Sequence, residues 1–214
     1  MNEHSFMRVM RQPGPQGHLR TDKRDAILRA AIDTFAARGF FNAQVADVAR
    51  AAGVASGTVY LYFRGKDDLL ISIFERTMLE AIAEGRHALD CIAEPVERLR
   101  EIARLHLGRL GRDRCLAIVF QVELRQSTKF MERFSSTRLR EYLGIIRDVI
   151  ADGQANGVFR RALNPTLAAK LFFGALDEMA TNWILSRRNY SLAGEVDAIV
   201  ELFVEGVGAR VDGP

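Results

Sequence analysis

Apolar residues recur at three- and four-residue spacing through nearly the whole chain, and no stretch alternates apolar with polar as a half-buried strand requires. The pattern predicts an all-α fold of about nine helices. Thr21 is placed to cap the first, in which Ile27, Leu28, Ala31, Ile32 and Phe35 repeat until Gly39 offers a stop. Phe40 and Phe41 follow and are expected to pack beneath the next two elements. Those are short: Val45, Val48 and Ala49 edge one helix, Ala52-Gly53-Val54 turns, and Ser56 to Phe63 gives another of about two turns. Lys66-Asp67-Asp68 opens a long helix expected to reach Asp90, with Leu70, Ile73, Phe74, Thr77, Met78 and Ala81 on one stripe.

Beyond it, Pro95 starts a helix whose buried face is Leu99, Ile102, Ala103 and Leu107, and Arg112-Asp113 interrupts. From Cys115 to Gln126 an apolar run takes in Gln121, Glu123 and Arg125. Polar groups so placed are either satisfied within the core or contacts to a polar ligand, because leaving one buried and unpaired costs about 1–3 kcal/mol. A long helix is expected from Phe130 to Asn156, Asn164-Pro165 begins another whose segment from Leu171 to Leu185 is apolar on more than one side, and a last one carries Val196, Ile199, Val200, Phe203 and Val207. Two apolar helices at the end of the bundle suggest a subunit interface.

With 214 residues, 48% of them apolar, the chain can bury a sizeable core. Its net charge of +3 is unevenly spread: residues 1–66 hold ten Lys/Arg against five Asp/Glu, so the basic end is where a polyanion would sit. Residues 1–20 are basic and rich in Pro and Gly, a composition expected to form a flexible arm. Its Arg8, Arg11 and Arg20 either reach DNA or belong to a solvated tail. Cys91 and Cys115 lack the spacing of a disulfide framework or a zinc site, and no metal site is expected. No apolar run approaches the roughly 20 residues of a membrane helix and the N-terminus has no apolar leader core, so a cytoplasmic protein is expected. His4, His18, His87 and His106 form no recognisable catalytic dyad or metal spacing, which argues against an enzyme.

The chemistry concentrates between Val45 and Leu70, which has the grammar of a helix-turn-helix. In its second helix Val59 faces inward, leaving Ser56, Gly57, Thr58 and Leu61 outward, small enough for a major groove about 12 Å wide. Thr58 offers a methyl to thymine and a hydroxyl to phosphate. Tyr60 and Tyr62 flank the helix where phenolic hydroxyls meet backbone oxygens, and Lys66 adds a point charge. Gly39-Phe40, Ala52-Gly53-Val54, Gly57-Thr58-Val59-Tyr60-Leu61-Tyr62-Phe63 and Lys66 together resemble the TetR family of bacterial transcription regulators over about 50 residues. Two positions depart from that pattern. Ala43-Gln44 and Ala55 stand where the family carries Ser or Thr caps, passing capping to Asn42 or Gln44 and to Ser56, with Gln44 the phosphate-facing candidate.

The resemblance extends further. Leu116 to Val119, Glu123 to Ser127, and Phe173 to Glu178 with Trp183 are similar to the FadR-type members, repressors of fatty-acid degradation. That similarity implies a homodimer, joined through its two C-terminal helices, that releases a palindromic operator on binding long-chain acyl-CoA. Residues 21–66 would read DNA and residues 67–214 would bind ligand and dimerise. Phe74, Met78, Leu107, Val119, Phe120, Leu143, Ile146, Phe172, Leu176, Met179 and Trp183 are the candidate walls of an acyl tunnel. Glu123 joins them as a polar candidate, and Arg104, Arg109, Arg112, Arg114 and Arg125 are candidate cations for the phosphates of coenzyme A. The alternative is a cationic drug-like or other small apolar ligand, caged by Glu123, Asp177, Glu178 and Trp183.

Overall fold

The computed structural model describes residues 15–126, 130, 132 and 137–208. Among them nine α-helices run in order: α1 (Pro15–Arg38), α2 (Val45–Ala51), α3 (Ser56–Tyr60), α4 (Lys66–Leu89), α5 (Pro95–Arg112), α6 (Arg114–Ile118), α7 (Arg138–Ala155), α8 (Pro165–Leu185) and α9 (Val196–Val207). The described residues contain no strand, only a single bridge between Phe159 and Gly208 that clasps the chain after α7 to the end of α9. The all-α expectation holds.

Local chemistry sets the ends. Proline opens α5 and α8, where its missing N–H costs nothing, and Asn164 caps α8 by accepting from the N–H groups of Thr166 at 2.9 Å and Leu167 at 3.1 Å. Asp113 ends α5 and caps α6, accepting from Leu116 N–H at 3.0 Å. In the helix-turn-helix, Gly53 has φ +67°, a left-handed backbone in which a side chain would be strained.

Several local expectations are corrected. The α1 backbone is already helical at Pro15, so Thr21 lies inside the helix rather than at its N-cap. Arg8 and Arg11 lie outside the described residues, as does Ser127. The expected helix start at Phe130 falls in a stretch described only in part; Phe130 itself is helical and buried. Of the two capping candidates for α2, Gln44 rather than Asn42 is the N-cap residue, and its backbone N–H donates to Asp47 at 3.1 Å, a bond that holds the Asp47 carboxyl below its usual range. Ala55 occupies the N-cap of α3, so Ser56 is a first-turn residue. Phe41 is exposed, while Phe40 is buried.

α5 runs through the middle of the body, touching α4, α6, α7, α8 and α9, and α8 packs most extensively on α7. One continuous apolar core joins Phe35, Phe40, Val48 and Val59 near the N-terminus to Leu99, Leu107, Ile146 and Phe172 in the body. At its waist Phe40 meets Phe35 and Phe130 edge to face, with ring centroids 5.3 and 5.2 Å apart.

Candidate DNA-facing surface and ligand cavity

α3 is held from behind and open in front. Val59 and Phe63 are buried against α1 and α2, whereas Ser56, Gly57, Tyr60 and Leu61 are exposed and Thr58 and Tyr62 half-buried. The exposed side of a short helix therefore carries small residues and one tyrosine, as docking in a major groove requires. Lys66 departs from the expected phosphate contact. Its ammonium donates to the carbonyls of Phe40 (3.0 Å), Phe41 (2.9 Å) and Ala43 (3.3 Å) and lies 4.8 Å from the Phe40 ring centroid. An ammonium has three donors, so Lys66 is turned inward as a clamp on the α1–α2 turn.

Inside the body, α4, α5, α7 and α8 enclose a cavity of about 60 Å³. That is room for a handful of waters, far below the roughly 300–1,000 Å³ of pockets that seat drug-sized ligands. Of the ligand candidates singled out in the sequence, Met78, Arg109, Phe120, Gln121, Arg125, Ile146 and Asp177 line it. Phe74 stands one layer behind, its ring 5.3 Å from Phe120. Leu107, Val119, Phe172 and Leu176 are core residues, Phe172 paired with Phe203 at 4.8 Å, and Leu143 packs half-buried against the same core. Met179 lines a shallow surface depression, and Trp183 donates its indole N–H to the Tyr190 carbonyl at 3.0 Å under the Arg114 guanidinium.

The cavity has a polar side, in which Gln121, Asp177, Arg109 and Arg125 were marked by the sequence but the pairing of His106 with Tyr142 was not. His106 and Tyr142 belong to its wall, with His106 Nδ1 3.2 Å from the Tyr142 hydroxyl. Burial pushes the imidazole down to about 4, against the pull of Asp177 and with a push from Arg109, and it holds the phenol well above its ordinary range. Gln121 donates to Asp177 at 2.9 Å and accepts from Thr181 at 3.2 Å, and Arg125 pairs with the same Asp177. Arg109 pairs with Glu80 at 3.3 Å and Glu84 at 2.5 Å. Arg104 pairs with Glu101, and Arg114 donates to the Ile184 carbonyl at 2.6 Å, bracing the end of α8. The acidic cage does not assemble: Glu123, Asp177 and Trp183 face different partners, and Glu178 is exposed beside Asn182.

Two connections run from the cavity to the DNA-facing elements. After α6 the helix widens into a π-turn, Val119–Glu123, that places Phe120 and Gln121 in the cavity wall. Such turns insert one residue into the i→i−4 ladder and recur at functional sites. In the same turn Glu123 is buried and accepts from the Phe40 N–H at 2.6 Å and from Gln126 at 3.3 Å. The second connection is ionic: Arg109 of the wall pairs with Glu80, which also pairs with Arg76, which pairs with Asp25 on α1.

A helix-turn-helix carried on a helical body is the architecture of a DNA-binding transcription regulator. Sequence comparison bears this out. Residues 27–73 match the family described as bacterial regulatory proteins, tetR family, and residues 74–206 match the C-terminal region of YsiA-like proteins. The chain is 35% identical over 181 residues to the fatty acid metabolism regulator protein of Bacillus subtilis, covering 85% of this chain and 93% of that one. Its fold is similar to that of the fatty acid degradation regulator FadR from Bacillus halodurans, with TM-score 0.81 and 36% identity over 86% of this chain and 98% of the other. FadR from Bacillus subtilis, solved in complex with stearoyl-CoA, gives TM-score 0.81 and 34% identity over the same shares. The chain belongs to the TetR family of transcriptional regulators and is not an enzyme. No helix among the described residues is long and apolar enough to cross a membrane.

Proposed function

We propose that the protein is a cytoplasmic repressor that binds a palindromic operator as a homodimer and leaves it when a long-chain acyl-CoA fills the body cavity. Residues 21–66 form the reading head, with Ser56, Gly57, Thr58 and Leu61 in the groove and Gln44, Tyr60 and Tyr62 toward phosphates. Residues 67–214 bind ligand and partner. The observation that carries this reading is the shared π-turn: one side of it lines the cavity, and Glu123 on it holds the backbone beside the helix-turn-helix.

The small cavity supports the mechanism. An acyl chain cannot fit without parting α4, α5, α7 and α8, so binding must move the helices that hold the head. An open groove of about 840 Å³ that shares Ile145 with the cavity wall is lined by Arg86, Arg98, Arg140 and Arg147 together with Asp90, Glu141 and Asp148, and its arginines offer cations for the phosphates of coenzyme A. The apolar side chains left exposed on α8 and α9, Leu167, Leu171, Leu185 and Leu202, suit a dimer interface. The stearoyl-CoA complex of the Bacillus subtilis relative supports the ligand class. Selection from random duplex followed by binding at graded salt tests the head: the expected result is one palindromic sequence bound with a steep salt slope, because phosphate contacts release counterions. Equal affinity for every duplex at all salts would refute the DNA assignment.

A further inference from the structure

Most of the cavity wall is apolar, and nearly all of its polar groups are already paired. Arg109 is held by Glu80 and Glu84, and Gln121 and Arg125 share Asp177. His106 is different. Its Nδ1 faces the Tyr142 hydroxyl, while its Nε2 is out of contact with solvent and has no hydrogen-bond partner among the described residues. Tyr142 is neutral and has no other hydrogen-bond acceptor there, so its O–H donates to Nδ1. The proton of the neutral imidazole then sits on Nε2, which makes that nitrogen a donor without an acceptor. Phe173, edge to face with His106 at 5.8 Å and with Tyr142 at 6.0 Å, fixes both rings from the α8 side. A plain alkyl chain would not relieve this donor. A chain bearing one neutral oxygen would.

We infer that His106 is the residue by which the cavity recognises the polar end of its ligand, its Nε2–H donating to the carbonyl oxygen of an acyl thioester whose chain displaces the apolar walls. The inference rests on the acyl-CoA reading above and adds a residue that sets specificity. The donor is uncharged, so it suits a carbonyl and gives little return to a free carboxylate, which would lose its hydration for one neutral hydrogen bond. Tyr142 acts through His106 as a positioning residue, because it fixes which nitrogen carries the proton.

Calorimetric titration with palmitoyl-CoA and with its thioether analogue S-hexadecyl-CoA, both below micelle-forming concentration, tests this. The two probes share chain and nucleotide and differ in the carbonyl. The wild type is expected to bind the thioester about ten-fold more tightly, the worth of one buried hydrogen bond. His106→Phe is expected to bind both with equal affinity, keeping the thioether within about three-fold of wild type, and Tyr142→Phe to narrow the preference without abolishing thioether binding. Equal binding by the wild type, or a full preference surviving in His106→Phe, overturns the role of His106. Should neither probe bind the wild type, the acyl-CoA reading itself is refuted.

Discussion

Phe40 is restrained at its N–H, its carbonyl and its ring. Its N–H is held by Glu123, its carbonyl by Lys66, and its ring by Phe35 and Phe130. Glu123 supplies the only one of these that comes from a cavity-bearing turn. Glu123→Ala leaves the buried N–H without an acceptor and is expected to cost about 1–3 kcal/mol in urea unfolding. Glu123→Gln keeps an acceptor oxygen and is expected to cost less than half as much. Equal stability of Ala and wild type would remove Glu123 from the account. His106 makes a second prediction. Its folded pKa of about 4 lies below the ordinary 6.5, so the unfolded chain takes the proton more readily. The stability tied to neutral His106 is complete above pH of about 6.5 and is lost as pH falls toward about 4, at most about 3 kcal/mol. Melting curves should show a smaller loss over that window in His106→Phe than in the wild type; parallel curves would mean that His106 is not buried neutral.

At the scale of elements, most of the fold was legible because helix starts and stops carry local chemistry: Pro95, Asn164-Pro165, Gly53 and the Asp67-Asp68 pair each act within one turn of their own helix. The α1 start was misread because Thr21 is a good cap only where the backbone ahead of it is not already helical. The cavity was legible in part. Periodicity marks residues that face inward but not whether they meet packed neighbours or a void, so Met78, Phe120 and Ile146 could not be told from Leu107 and Leu176. The role of His106 carries no sequence signal because its partner Tyr142 lies on another helix, and that of Lys66 carries none because the carbonyls it clamps belong to a turn 26 to 23 residues earlier. One close approach tests the packing of α7. A Cβ at Gly153 would overlap the Phe159 ring, itself buried against the start of α5 beside Pro95, so Gly153→Ala is expected to cost about 1–3 kcal/mol. A neutral substitution would show that the α7 end and the Phe159 clasp are looser than described.

Over the whole molecule, the head is tied to the body by one continuous core and by several polar contacts, two of which reach the cavity: one through Glu123 and one from Arg109 through Glu80 and Arg76. The ionic one, from Arg109 through Glu80 and Arg76 to Asp25, is partly exposed, so each link contributes little by itself and is weakened by salt. The buried one through Glu123 is insulated from that screening. Under the proposed function, ligand binding and DNA binding are two readings of one equilibrium, in which a widened cavity and a docked head compete, and a coupling of about 3 kcal/mol corresponds to roughly 150-fold in operator affinity. The most direct test titrates palmitoyl-CoA into a preformed complex with the selected operator, following fluorescence anisotropy while calorimetry records occupancy of the body. The account predicts that the operator is released as the cavity fills, with affinity falling by a factor on the order of 100 at saturation. A protein saturated with acyl-CoA that still held its operator with unchanged affinity would contradict it.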